Sequence, residues 1–233
     1  MKAISSRWYV WVVGAILTVG ALTTSLPFIW MLLTSVKPLR ESVTYPPTFR
    51  PQNPTLASYR RLFTEMAFDR YLVNTLVVVA ISFVGMFLSA MAGYAFAKHR
   101  FRGKGVMFAM VMATMMIPVQ VTMIPTYLIL NNLRLTNTLV GMTLPTLVVA
   151  FNVFLFRQFM TTIPDDVLEA ARLDGAGEWA AFWRVVLPLS RPILAVQAVL
   201  TFISGWNSFL WPLIVANEQD KYTLSVGVSL LKQ

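Results

Sequence analysis

An α-helix needs about 20 largely apolar residues to cross the hydrocarbon core of a bilayer. Five stretches of this 233-residue chain meet that requirement: roughly 9–36, 71–97, 106–130, 139–159 and 192–215. Little else than an all-α, polytopic transmembrane bundle can bury so much apolar sequence. The composition agrees, with 57% hydrophobic and only 12% charged residues, where soluble domains carry about 25% charged. Pro118, Pro125, Pro145 and Pro212 fall inside these stretches. In a membrane bundle they are tolerated, because neighbouring helices can satisfy the freed carbonyls. Residues 1–233 read as one transmembrane domain.

A net charge of +9 raises the possibility of nucleic acid. The bases lie between apolar segments and build no continuous basic face, so nucleic acid is excluded as a partner. Lys and Arg beside membrane spans instead set topology and meet anionic lipid. Lys2 and Arg7 precede an apolar run from Trp8 to about Leu33. A signal peptide's apolar region is only about 7–15 residues, so this segment is expected to be a retained anchor. Lys98, Arg100, Arg102 and Lys104 form the densest basic cluster, which places that loop in the cytoplasm and the 160–191 loop with it.

The absence of cysteine and the single His99 leave no thiol chemistry and no His-based metal cluster. No phosphate-binding loop of the G-x-x-x-x-G-K-[ST] kind is present, because Gly103-Lys104-Gly105 lacks the spacing. Neither H-E-x-x-H nor G-x-S-x-G occurs. The chain is therefore expected to be no enzyme and to need no cofactor of its own.

Polar side chains inside spans are costly and often mark a pathway. Here they are Asn74, Gln120, Asn152, Gln197 and Asn207. Asn207 stands beside Trp206, and an indole with an amide can meet the two faces of a sugar. Asn152, Trp206 and Asn207 are the candidates for a translocation path. Interhelical hydrogen bonds that only hold the bundle explain the same residues equally simply. Asn74, at the outer end of its span, suits a cap or a packing contact.

The loop 160–191 is the unusual element. Pro164 suits a helix start, Asp165 and Asp166 complement the positive end of the helix dipole, and Gly175 is placed to end the helix in a left-handed cap. A second short helix is expected near 178–186, carrying Trp179, Phe182 and Trp183, before Leu187-Pro188 turns the chain into the next span. Such a charged helix suits a soluble partner that grips it from the cytoplasm. An amphipathic loop resting on the bilayer would look similar.

Glu169-Ala170-Ala171, Asp174-Gly175-Ala176 and Leu187-Pro188-Leu189 resemble the EAA motif of ABC-importer permeases. Asn74-Thr75-Leu76, the run Ala92-Gly93-Tyr94-Ala95-Phe96-Ala97, Phe101-Arg102-Gly103, Met116-Ile117-Pro118 and Gly205-Trp206-Asn207 are similar to the carbohydrate branch, in particular the smaller permease of maltose-type systems. The likeness covers nearly the whole chain. It implies a type I importer permease in a prokaryotic plasma membrane, paired with a homologous permease, two ATPase subunits that bind ATP and magnesium, and an external solute-binding protein. It also implies that Glu169, Ala170, Ala171, Asp174, Gly175, Leu187 and Pro188 couple the chain to the ATPase. The family has six crossings where five are legible here, so a sixth is expected to be missing at the C-terminus. Import of another solute such as glycerol phosphate, or a membrane scaffold without transport, are the alternative functions.

Overall fold

The computed structural model describes residues 7–230, so Lys2 lies outside the described residues. All regular elements among them are helical. The chain divides into two compact units, Met1–Ala67 and Phe68–Gln233.

In the first unit, α1 (Arg7–Ser35) is a 29-residue apolar helix that runs through Pro27. None of its side chains along the most apolar stretch is buried, which is the expected state of a helix whose solvent is lipid. The following segment is folded around two charges. Lys37 is buried, donates to the carbonyl of Thr48, and holds its ammonium 4.7 Å from the centre of the Trp30 ring. Glu41 Oε1 accepts from the Thr48 hydroxyl (3.1 Å) and the Gln52 amide (2.9 Å). These contacts pair charges that would be costly to bury alone, although Glu41 Oε2 has no hydrogen-bond partner among the described residues. Two short helices, α2 (Leu39–Ser42) and α3 (Ala57–Thr64), flank this knot.

The second unit is built on α4 (Phe68–Lys98), a 31-residue apolar helix. The remaining apolar stretches are broken into shorter helices. The 106–130 stretch becomes α5 (Lys104–Thr114) and α6 (Val119–Asn132), bent by 99°. Pro118 has no N–H to donate and pushes Ile117 away from helical geometry, so the break falls at 115–118. The 139–159 stretch becomes α7 (Leu139–Thr143), a tight turn at Leu144–Thr146 around Pro145, and α8 (Ala150–Thr161), bent by 49°. The 192–215 stretch ends as α12 (Arg191–Trp206), with α13 (Leu210–Val215) separate. Among the described residues two helices are long and apolar enough to cross a membrane, or up to five if each bent pair is one span.

Between α8 and α12 lie α9 (Asp165–Leu173), α10 (Glu178–Ala181), a wide π turn at Phe182–Val186 and α11 (Leu187–Leu189). The run Glu178–Leu189 meets α12 at 81°, with Ser190 between them. The chain closes on α14 (Leu224–Leu230).

Helices α4 and α8 approach so closely that a Cβ on Gly93 would lie 2.5 Å from the Phe156 Cβ and 2.9 Å from the Arg157 nitrogen. Small residues at such crossings let backbones pack tightly where lipid provides no hydrophobic drive. This seam continues into the main core, where Ala90, Tyr94, Phe156 and Met160 pack with Leu168, Phe182 and Val186 from the 160–191 loop. The loop is therefore part of the bundle's core and not a loose connection.

Candidate coupling element and membrane cavity

Helix α9 starts after Pro164, which stands just ahead of the first turn with extended backbone. Its end is a complete Schellman cap. Gly175 has φ +84°, its N–H donates to the Arg172 carbonyl (3.0 Å), and the Ala176 N–H donates to the Ala171 carbonyl (2.9 Å). One apolar side chain, Leu168, is buried against the core. Glu169, Ala170, Asp174 and Gly175 are exposed and Ala171 is half-buried, while Leu173 is 89% exposed. The small and charged residues of the motif thus form an open face that ends in an unburied leucine.

Leu187 and Pro188 stand elsewhere. Leu187 is buried in the core and Pro188 is exposed on the short α11, at the approach to the 81° bend. They are not gathered with the α9 face. Phe182 is buried, packed edge-on against Phe87 and Trp183 and tilted against Tyr94, whereas Trp179 and Trp183 are exposed.

One ionic contact holds α9 directly to the end of α4 and a second reaches it through Glu178 on α10, and neither is evident from sequence. At its start, Asp165 Oδ1 is 2.7 Å from Lys98 Nζ, which also donates to the Ile163 carbonyl. The Lys98 hydrogen bond and charge hold the Asp165 carboxyl below the usual aspartate range. At its end, Arg172 Nε donates to Glu178 Oε1 (3.0 Å). Glu178 Oε2 accepts from the Tyr94 hydroxyl (3.3 Å) and lies 3.5 Å from His99 Nε2. The His99 ring thus lies beside the Arg172–Glu178 pair.

A cavity of about 360 Å³ opens between α4, the α7–α8 turn and α12. Its polar lining is Ser82, Thr143, Thr146, Asn152, Thr201, Ser204 and Ser208, and among the described residues no charged side chain lines it. Thr201 is buried, and its hydroxyl finds no partner among the described residues. Of the three pathway candidates, Asn152 lines this cavity and the other two do not. Asn207 Nδ2 turns back to the Ile203 carbonyl (2.9 Å), and Trp206 stacks on Phe202 with ring centres 5.5 Å apart. The missed residues carried a signal. Thr201 and Ser204 follow Gln197, which the sequence already marks, at helical spacing along one face, and Ser208 continues the spacing just past the end of α12. Gln197 lies one turn before the cavity, fully buried with both amide atoms unpartnered. Gln120 is exposed on α6.

Asn74 is a packing contact. Its Nδ2 donates to the carbonyls of Asp220 (2.8 Å) and Tyr222 (3.0 Å). Thr75 Oγ1 accepts from the Leu224 amide (2.8 Å), and the Tyr71 hydroxyl accepts from Gln219 Nε2 (2.7 Å). Tyr71, Asn74 and Thr75 on α4 therefore clamp the stretch of backbone that leads into α14.

Residues 85–230 match the family described as binding-protein-dependent transport system inner membrane component. The chain is 34% identical over 229 residues to the arabinooligosaccharides transport system permease protein AraQ of Halalkalibacterium halodurans, covering 93% of this chain and 80% of that protein. It is 32% identical over 230 residues to the diacetylchitobiose uptake system permease protein NgcG of Streptomyces coelicolor, covering 97% and 76%. It is 41% identical over 162 residues to the sn-glycerol-3-phosphate transport system permease protein UgpE of Yersinia pestis, covering 69% and 58%. A crystal structure of a bacterial ABC transporter involved in the import of the acidic polysaccharide alginate superimposes with a TM-score of 0.83 at 27% identity, covering all of this chain and 82% of that one. A transport subunit of this kind is not an enzyme by itself. The chain belongs to the binding-protein-dependent inner-membrane family: it is a multi-pass permease subunit of a bacterial ABC importer.

Proposed function

We propose that this permease forms one wall of a translocation path for a neutral sugar and is driven through α9 by a cytoplasmic ATPase. In this reading residues 1–233 act as one permease domain beside a homologous permease. Two ATPase subunits bind ATP and magnesium, and an external binding protein delivers the solute. Differential binding of the ATPases to the two permease states supplies the free energy for switching.

The observation that carries the sugar reading is the chemistry of the 360 Å³ cavity, whose lining offers hydroxyls and one amide but no charge. Hydroxyl-rich solutes need many neutral hydrogen-bond partners, whereas a phosphate calls for Arg, Lys or a helix N-terminus. Glycerol phosphate is the second reading, and it is favoured only by the likeness to UgpE. For coupling, the support is the open face of Glu169, Ala170, Leu173 and Asp174, presented on a helix anchored by Leu168.

Co-expression with the neighbouring ATPase and binding protein, followed by uptake into proteoliposomes, tests both. Uptake of a neutral oligosaccharide is expected, and it should fall when α9 is blocked by a bulky label at Leu173→Cys. Uptake of glycerol phosphate alone would overturn the sugar reading. An ATPase that binds the Leu173-labelled permease normally would overturn the coupling reading.

A further inference from the structure

We propose that Glu178 is the positioning residue that makes α9 a rigid lever, by bridging the compliant link behind it and fastening it to α4. The inference rests on the coupling reading of α9. The covalent link from α9 to the next helix is Asp174-Gly175-Ala176-Gly177. Two glycines in four residues give this link unusual backbone freedom. A push applied to the open face of α9 would be absorbed there unless something spans it.

The Arg172–Glu178 pair spans it. Both Nε and Nη2 of Arg172 lie 3.0 Å from Glu178 Oε1, one on each side of the link. The other carboxylate oxygen reaches the bundle, through the Tyr94 hydroxyl on α4 at 3.3 Å and the His99 ring just after it at 3.5 Å. One carboxylate thus joins three elements. A single exposed ion pair contributes little, but a shared acceptor ties its donors into one network. At the other end of α9, Lys98 and Asp165 make the matching tie, again to the end of α4. With Leu168 seated between the two ties, movement of α9 must carry α4 with it.

The chain has no native cysteine, so a pair of introduced cysteines reports this directly. Spin labels at Asp166→Cys on α9 and Leu88→Cys on α4 are measured in the full importer with its ATPase subunits, at rest and trapped with ATP and vanadate. The expected result is one narrow distance in each state. Glu178→Ala should keep the ATPase bound, but widen the trapped-state distribution at least twofold. Glu178→Gln, which keeps an acceptor for Arg172, should widen it less; it is the variant read if Glu178→Ala does not insert. Tyr94→Phe should reproduce part of the widening. Distributions as narrow as wild type with the ATPase still bound would overturn the inference alone. An ATPase that does not engage the wild-type permease would remove the coupling reading and this inference with it.

Discussion

Lys98 and Asp165 form an unequal pair: Nζ and Oδ1 are 2.7 Å apart, yet the lysine side chain is 5% exposed and the aspartate 69%. The lysine is the partner that cannot fall back on water. Losing Asp165 leaves a buried ammonium with the Ile163 carbonyl as its remaining acceptor, whereas losing Lys98 leaves a carboxylate that water can hydrate. Asp165→Ala should therefore loosen the start of α9 more than Lys98→Met, read as faster amide exchange over residues 165–169.

The same pair sets a pH dependence. The Lys98 hydrogen bond and charge lower the Asp165 pKa below its ordinary 3.8. A depressed carboxylate stabilises the folded form above its unfolded pKa, and that contribution is lost as pH falls through the lower, folded value. Protection of the α9 amides should thus persist at pH 3.8 and fade only in more acid solution. In Lys98→Met the Asp165 carboxyl should titrate nearer 3.8, as followed by carboxyl-carbon NMR of labelled aspartate.

Gly175 is held by its backbone alone. A Cβ there meets nothing within 4 Å, but φ is +84°. An L-residue pays about 1–2 kcal/mol in the left-handed region, and Asn pays least among them. Transport should follow the order Gly175→Asn above Gly175→Ala above Gly175→Val, with membrane insertion unchanged throughout. Gly175→Asp adds a negative charge at a helix C-terminus, where the dipole disfavours it, and should impair uptake more than Gly175→Asn. Uptake into proteoliposomes, normalised to inserted protein, checks the series.

Helix α9 was legible because its signals are local. Pro164, Asp165, Asp166 and Gly175 each act on the backbone within a turn. The breaks at 115–118 and 147–149 were not legible, because apolarity reports where a segment sits and not the direction of its axis. Each proline is compatible with a kink or with a full stop, and neighbouring helices decide which. The ties of α9 to α4 join residues 67 and 84 positions apart, beyond any local pattern. Trp206 and Asn207 have the chemistry of a sugar site, yet the sequence does not tell which way the end of a helix turns them. The stripe of Thr201, Ser204 and Ser208 is visible as helical spacing, but small hydroxyls in membrane helices commonly bond their own backbone, so spacing alone does not mark a pathway.

Gly93 should tolerate no side chain. A Cβ there lies 2.5 Å from Phe156 and 2.9 Å from the backbone of Arg157, so α4 and α8 must part. Overpacking of this kind costs about 1–3 kcal/mol. Gly93→Ala should lower the thermal midpoint in detergent. Gly105→Ala, near the start of α5 with nothing within 4 Å, is the control and should gain about 0.5–1 kcal/mol from helix propensity. Equal midpoints for the two variants would remove the close α4–α8 seam.

Thr201 separates a structural hydroxyl from a functional one. It is 8% exposed, lines the cavity, and its Oγ1 has no partner among the described residues. Leaving a buried polar group unpaired costs about 1–3 kcal/mol, so Thr201→Val removes that cost while nearly preserving shape. The resting permease should be as stable as wild type or slightly more so. Transport should move the other way, because a passing sugar hydroxyl loses a partner and meets a methyl group in its place. The expected result is a raised thermal midpoint together with a several-fold weaker apparent affinity for the transported sugar. Asn152→Leu should show the same fall in uptake. A Thr201→Val permease that gains stability and transports like wild type would show that solute does not pass this wall.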